Sequence, residues 1–160
     1  KFDDKPLVDG GPAGPGNALT LFTYFLVRGI EGAMAKVEDV TLDRDLQTIS
    51  WRFSVSKTGP AALGCERRWG CLCSDKGNLG CPSHAACAQL ELLCALFGER
   101  LERGDLPLFP DASGYMVSDA GMEGCGDALA ALGGCKLVLP NGAKRFGRRS
   151  FRSTGAVVLA

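Results

Sequence analysis

The chain has 160 residues, 46% of them hydrophobic, enough for one compact domain with its own core and too few to expect two. Eighteen Lys and Arg balance eighteen Asp and Glu, so no global field draws the protein to a polyanion and any nucleic-acid binding must be local. The longest apolar run, "LTLFTYFLV" (residues 19–27), is half the length of a membrane span and ends in Arg28, which argues against a transmembrane helix.

The N-terminal "KFDDKPLVDG" carries acidic residues and no apolar core, unlike a secretory signal. With nothing pointing to export, the eight cysteines read as reduced thiols or metal ligands, and the protein as intracellular. Residues 1–17 end in the Gly/Pro-rich "DGGPAGPGN" and suit a flexible lead-in. Order is expected from near Ala18, with residues 18–160 as the domain. Leu19, Phe22, Phe25, Leu26, Ile30, Ala33, Met34 and Val37 recur mostly every three or four residues, which predicts one amphipathic helix carrying Arg28 and Glu31. Gly29 and Gly32 fall in its middle and each costs roughly 1 kcal/mol relative to Ala, so packing must hold it.

"DVTLDRDLQTISWRFSVSKTGP" predicts a hairpin, with a short strand at residues 40–42 and a second from Thr48. In the second, Ile49, Trp51, Phe53 and Val55 alternate with Ser50, Arg52, Ser54 and Ser56, a period of two. Lys57 falls at its end, before a Gly-Pro turn. A Cys/His-rich insert covers residues 65–87, followed by a helix over roughly 85–103 with Leu90, Leu93, Phe97 and Leu101 on one stripe. Cys94 is placed on the apolar side of that helix. "LPLFPDASGY" suits an extended segment and turn, and Ser118 a helix cap for a Gly-weakened helix to Leu132. The last segment is patterned as a helix from near Ser150. The fold class expected is α+β, mainly helical, with a small antiparallel hairpin or three-stranded sheet.

Within the insert, Cys71, Cys73, Cys81 and His84 have the arrangement C-x-C-x7-C-x2-H, and His84 is the only histidine in the chain. Three thiolates and an imidazole make a tetrahedral structural Zn2+ site of the Cys3His type. The alternative is a loop of free thiols, with Cys65 and Cys87 as alternate ligands. Cys125 and Cys135 suit buried or incidental small residues.

"KRFGRRSFRSTGA" (residues 144–156) gathers Lys144, Arg145, Arg148, Arg149 and Arg152 into nine positions of a chain with no net charge. Such a run suits a solvated face. Placed at a helix start, where free N–H groups and the positive dipole end collect, it also suits a phosphate.

Three stretches taken together resemble the catalytic domain of the tyrosine recombinases, the phage-integrase type, in the divergent form carried by eukaryotic mobile elements. They are "VRGIEGAMAKVEDVTLD", with an Arg followed three residues later by Glu ahead of a "D-V-T-L-D" strand, then "WRFSVSKTGP", then "FGRRSFRSTGA". The resemblance runs from about residue 19 to 160. It implies double-stranded DNA as partner, homo-oligomers on DNA, and a nuclear location for a eukaryotic element. It places the family's two phosphate-clamping arginines at Arg28 and Arg152 and its strand-tip general acid at Lys57. Lys144, Arg145 and Arg148 would contact DNA. Arg149 stands where the family has His or Lys, and a guanidinium is a poor base. The tyrosine nucleophile would fall beyond Ala160, so this stretch is expected to keep the phosphate clamp without cleaving DNA alone, as a truncated or decayed copy. The resembled proteins also carry cysteines and histidines in an insert after the lysine. The alternatives are a zinc-stabilised DNA-binding or protein-interaction module, or a relic. For Arg28 the plain alternative is an ion pair with Glu31, and for Lys57 an exposed turn.

Overall fold

The computed structural model describes residues 6–53, 65–73, 80–102 and 104–147. Among them the chain forms α1 (Pro15–Phe25), α2 (Gly29–Ala33), a 3-10 turn (Val37–Asp39), β1 (Val40–Asp43), β2 (Thr48–Phe53), β3 (Cys65–Gly70), α3 (Pro82–Glu102) and α4 (Asp119–Leu132). The three strands pair antiparallel in the order β1-β2-β3. This is the expected α+β class, with the sheet completed by a third strand that begins the cysteine-rich insert. None of the described helices is long and apolar enough to cross a membrane.

The expected continuous helix over residues 19–37 is two helices. Leu26 adopts φ 54°, the left-handed region, and ends α1 in a Schellman arrangement. The Leu26 N–H donates to the Thr23 carbonyl at 3.4 Å and the Val27 N–H to the Phe22 carbonyl at 3.0 Å. Phe22 and Val27, which close that motif, are both fully buried. The chain then restarts with Arg28 as the extended N-cap of α2. Helix order also begins earlier than Ala18: Pro15 opens α1, and Pro12 and Ala13 are buried.

The alternation holds from Ile49 to Phe53, and Ser54, Val55 and Ser56 lie outside the described residues. Register pairs Val40 with Trp51 and Ile49 with Trp69, so Ile49, Trp51 and Phe53 share the buried face. Trp51 is the centre of an aromatic cluster, 5.3 Å from the Phe25 ring centroid and 5.2 Å from Phe53. Phe22 meets Phe109 edge-on at 5.3 Å. Such rings bury the largest apolar area per residue and dominate a core of this size.

One buried polar group was not expected. Gln89 on α3 is fully buried, and its Nε2 donates to the carbonyls of Leu108 (2.8 Å) and Ala13 (3.3 Å). Its Oε1 accepts from Asn17 Nδ2 at 3.2 Å. The side chain therefore ties α1, α3 and the 106–110 segment together by satisfying backbone groups that helix and sheet leave over. On the same helix Cys94 is exposed and not on the apolar side. Phe97, at φ −136°, kinks α3 just beyond it.

α4 starts where expected. The Ser118 Oγ accepts from the Gly121 N–H at 3.0 Å, the capping bond that a Gly-weakened helix needs. Replacing Ser118 with Ala is expected to cost about 1 kcal/mol, measured by urea denaturation. An unchanged midpoint would show that packing alone fixes this helix start.

Candidate functional site

β3 ends at Gly70, and the next residues bring Cys71 and Cys73 beside the start of α3. Cys81 precedes Pro82, the first residue of α3, a position where proline costs no hydrogen bond. His84 lies one turn in. The four ligand atoms all fall within 4.8 Å of one another. Cys71 Sγ is 3.4 Å from Cys73 Sγ and 3.8 Å from Cys81 Sγ. His84 Nδ1 is 2.9 Å from Cys73 Sγ and 3.9 Å from Cys71 Sγ.

A tetrahedral zinc with bonds of about 2.3 Å to sulfur and about 2.0 Å to nitrogen has edges of about 3.8 Å between sulfurs and about 3.5 Å from sulfur to nitrogen. The sulfur–nitrogen edges fall on either side of that value, and the sulfur–sulfur edges lie at theirs, at 3.8 Å, or short of it, at 3.4 Å. No two sulfurs approach the disulfide distance of about 2.05 Å, and all five cysteines of the insert, Cys65, Cys71, Cys73, Cys81 and Cys87, are free.

Local backbone supports this donor set. Burial disfavours ionisation of Cys81, yet the backbone N–H groups of His84, Leu72 and Ser83 outweigh it and lower the thiol to about 6. Cys81 thus caps α3 with a sulfur instead of the usual oxygen, and the helix dipole adds to the effect. Cys73 goes the other way, raised to about 12 by desolvation and then by the neighbouring thiols Cys71 and Cys81. Crowded thiolates of this kind are what a divalent cation neutralises. Cys65 is exposed, and Cys87 donates to Glu91 Oε1 at 3.3 Å; neither belongs to the four-atom group. The residues fit a closed structural metal site such as zinc, with four protein ligands and no open position for catalysis.

Of the residues expected to contact phosphate or DNA, Arg28, Lys144 and Arg145 lie within the described residues. Arg28 caps α2 with its own backbone N–H bonded to Glu31 Oε2 at 3.0 Å, while its guanidinium lies 3.5 Å from Glu31 Oε1. That is the plain ion pair weighed for this residue, and its side chain remains 27% exposed. Gly29, the next residue, lines a cavity of about 300 Å³ between α1, α4 and the segment following α4. Phe146 and Gly147, which open "FGRRSFR", line the same cavity. Lys57, Arg148, Arg149 and Arg152 lie outside the described residues.

Lys144 does not stand free. Its Nζ is 2.6 Å from Glu123 Oε1 and 2.9 Å from Asp127 Oδ2, both on α4, and these hydrogen bonds raise its pKa. Arg145 is exposed, its backbone N–H bonded to the Leu137 carbonyl at 2.8 Å, with no ion pair among the described residues. The partners of Lys144 escaped the sequence reading. The one local signal was the acidic pair Glu123 and Asp127, spaced i, i+4 and so on one helix face.

Arg67 is a further arginine with tertiary contacts that no sequence motif marks. Its guanidinium lies 4.8 Å above the Phe53 ring, and its Nη1 donates to the Phe25 carbonyl at the end of α1. It joins β3 to the turn that presents Arg28. Compared with protein-family profiles, curated proteins and solved structures, the chain finds no match.

Proposed function

We propose that this chain is a DNA-binding domain of the tyrosine-recombinase type, in which arginines hold a backbone phosphate while zinc on Cys71, Cys73, Cys81 and His84 acts as a structural clip. The observation that carries the reading is the shared cavity. Gly29, beside Arg28, and Phe146 and Gly147, which lead into the second basic box, come from opposite ends of the sequence and line one recess. A helix headed by Arg28, then a three-stranded antiparallel sheet, with Lys57 in the stretch joining β2 to β3, is also the order that the resemblance implies.

In this reading Arg28 and Arg152 fork onto the nonbridging phosphate oxygens, a contact that suits a planar and permanently charged guanidinium. Lys57 would donate a proton to a departing 5′ oxygen. Arg149, charged throughout, adds attraction and no base. The metal, when bound, supplies cross-linking only: it joins the end of β3 to the start of α3.

Duplex affinity measured across a salt series tests this. The native chain is expected to show a steep log–log slope, shallower by about 1.8 in an Arg28→Ala, Arg152→Ala double variant, since each lost phosphate contact removes about 0.9. Identical slopes would leave Arg28 as the partner of Glu31 alone. The protein would then be a zinc-stabilised module with no recombinase-type site in use.

A further inference from the structure

We infer that Lys144 is a latch and not a phosphate ligand: its double ion pair to α4 fixes where the second basic box enters the cavity beside Arg28. The functional consequence rests on the DNA-binding reading above; the latch itself rests on the ion pairs.

Residues 137–145 form a small hairpin. Val138 bridges Lys144, the Leu139 N–H donates to the Ala143 carbonyl at 2.9 Å, and Gly142 turns the chain at φ +80°. Little apolar burial holds it in place. Between residues 131 and 145 every position is exposed save Leu137, which is half-buried. A two-stranded hairpin of this kind is marginal in water unless it is tied to something larger.

Lys144 supplies the tie. Glu123 and Asp127 are each only 24% exposed, so their carboxylates sit against α4 while the ammonium reaches down to both. Two residues later the chain enters the cavity at Phe146. A phosphate approaching Lys144 would meet both carboxylates at once, and like charge at that range repels. The basic residue therefore positions its neighbours and does not itself engage DNA.

The test compares Lys144→Ala, the pair Glu123→Gln with Asp127→Asn, and the triple variant, using duplex affinity and amide hydrogen exchange at Leu139, Gly142 and Arg145. A latch predicts that the first two variants each bind duplex on the order of tenfold more weakly, and that the triple variant loses little more, as expected for one coupled unit. The Gln/Asn pair is the decisive arm, because it removes two negative charges and frees the lysine. Tighter binding and a steeper salt slope in that pair would make Lys144 a phosphate ligand and overturn the proposal. Lys144→Arg is expected to restore native affinity. If the native chain binds no duplex, the DNA reading fails by itself, and exchange decides the latch. Faster exchange at those three amides in Lys144→Ala sustains it, and unchanged protection overturns it.

Discussion

Dialysis against a strong chelator is expected to lower the melting temperature of this chain by more than about 10 °C. Structural zinc contributes several kcal/mol or more to folding, and a domain of this size shifts by roughly 2–4 °C per kcal/mol. The site should hold one metal per chain. Replacing zinc with cobalt should give the thiolate charge-transfer and d–d absorption of a tetrahedral Cys3His centre. Cys81→Ser is the most informative substitution, because serine keeps an oxygen at the α3 N-cap while removing the thiolate. A large loss in that variant therefore reports the metal bond and not the cap. Cys87→Ser, whose sulfur faces Glu91 outside the four-atom group, is expected to leave metal content unchanged. A chain that retains no metal and melts identically with and without chelator would return the cluster to a set of free thiols.

Much of this centre was legible from spacing. C-x-C brings two sulfurs close along one stretch of chain, and C-x2-H at a helix start sets a sulfur and an imidazole one turn apart. What spacing could not supply is the reason Cys81 ionises easily, namely backbone N–H groups of Leu72, Ser83 and His84 directed at its sulfur. The β1–β2 hairpin was equally plain, because a period of two survives in β2 whatever packs on it, whereas β3 falls in residues that read only as the start of the insert. The break between α1 and α2 was hidden for a physical reason. Helix stops are usually announced by Gly or Asn in the left-handed region, and here Leu26 takes that conformation, held by the burial of Phe22 and Val27. Periodicity ran straight through it because the apolar spacing continues past the turn, although Phe22, Phe25 and Ala33 are buried while Leu19, Ile30 and Met34 of the same stripe are exposed. The ion pairs of Lys144 were hidden for a related reason: a basic run looks uniform in sequence, and only the tertiary fold sets Glu123 and Asp127 beneath one of its members.

Gly29 and Gly32, equivalent in the sequence pattern, are expected to respond oppositely to substitution by Ala. Gly32 lies on α2 where a Cβ would fall inside the Phe22 ring. That ring has nowhere to retreat, being fully buried, edge-on to Phe109 at 5.3 Å and 6.4 Å from Trp51. Gly32→Ala should therefore destabilise by about 3 kcal/mol, the upper end for overpacking a core, with the cost appearing as a lower urea midpoint at unchanged slope. Gly29 is different. A Cβ there would meet only Asp119 Oδ1 at 3.4 Å, close to ordinary contact, and the residue is already helical. Gly29→Ala should gain about 0.5 kcal/mol, chiefly by restricting the unfolded chain. The contrast follows from α2 being a separate short helix that lays its Gly32 face on the aromatic cluster. In one continuous helix from residue 19 to 37 both substitutions would stabilise, each by about the helix-propensity difference between Gly and Ala. Matched stabilisation by the two variants would contradict the break at Leu26 and the close approach of α2 to Phe22. A loss confined to Gly32→Ala would confirm that this glycine is required by contact, and that Arg28 is set by the turn and cap before it and not by a continuous helix.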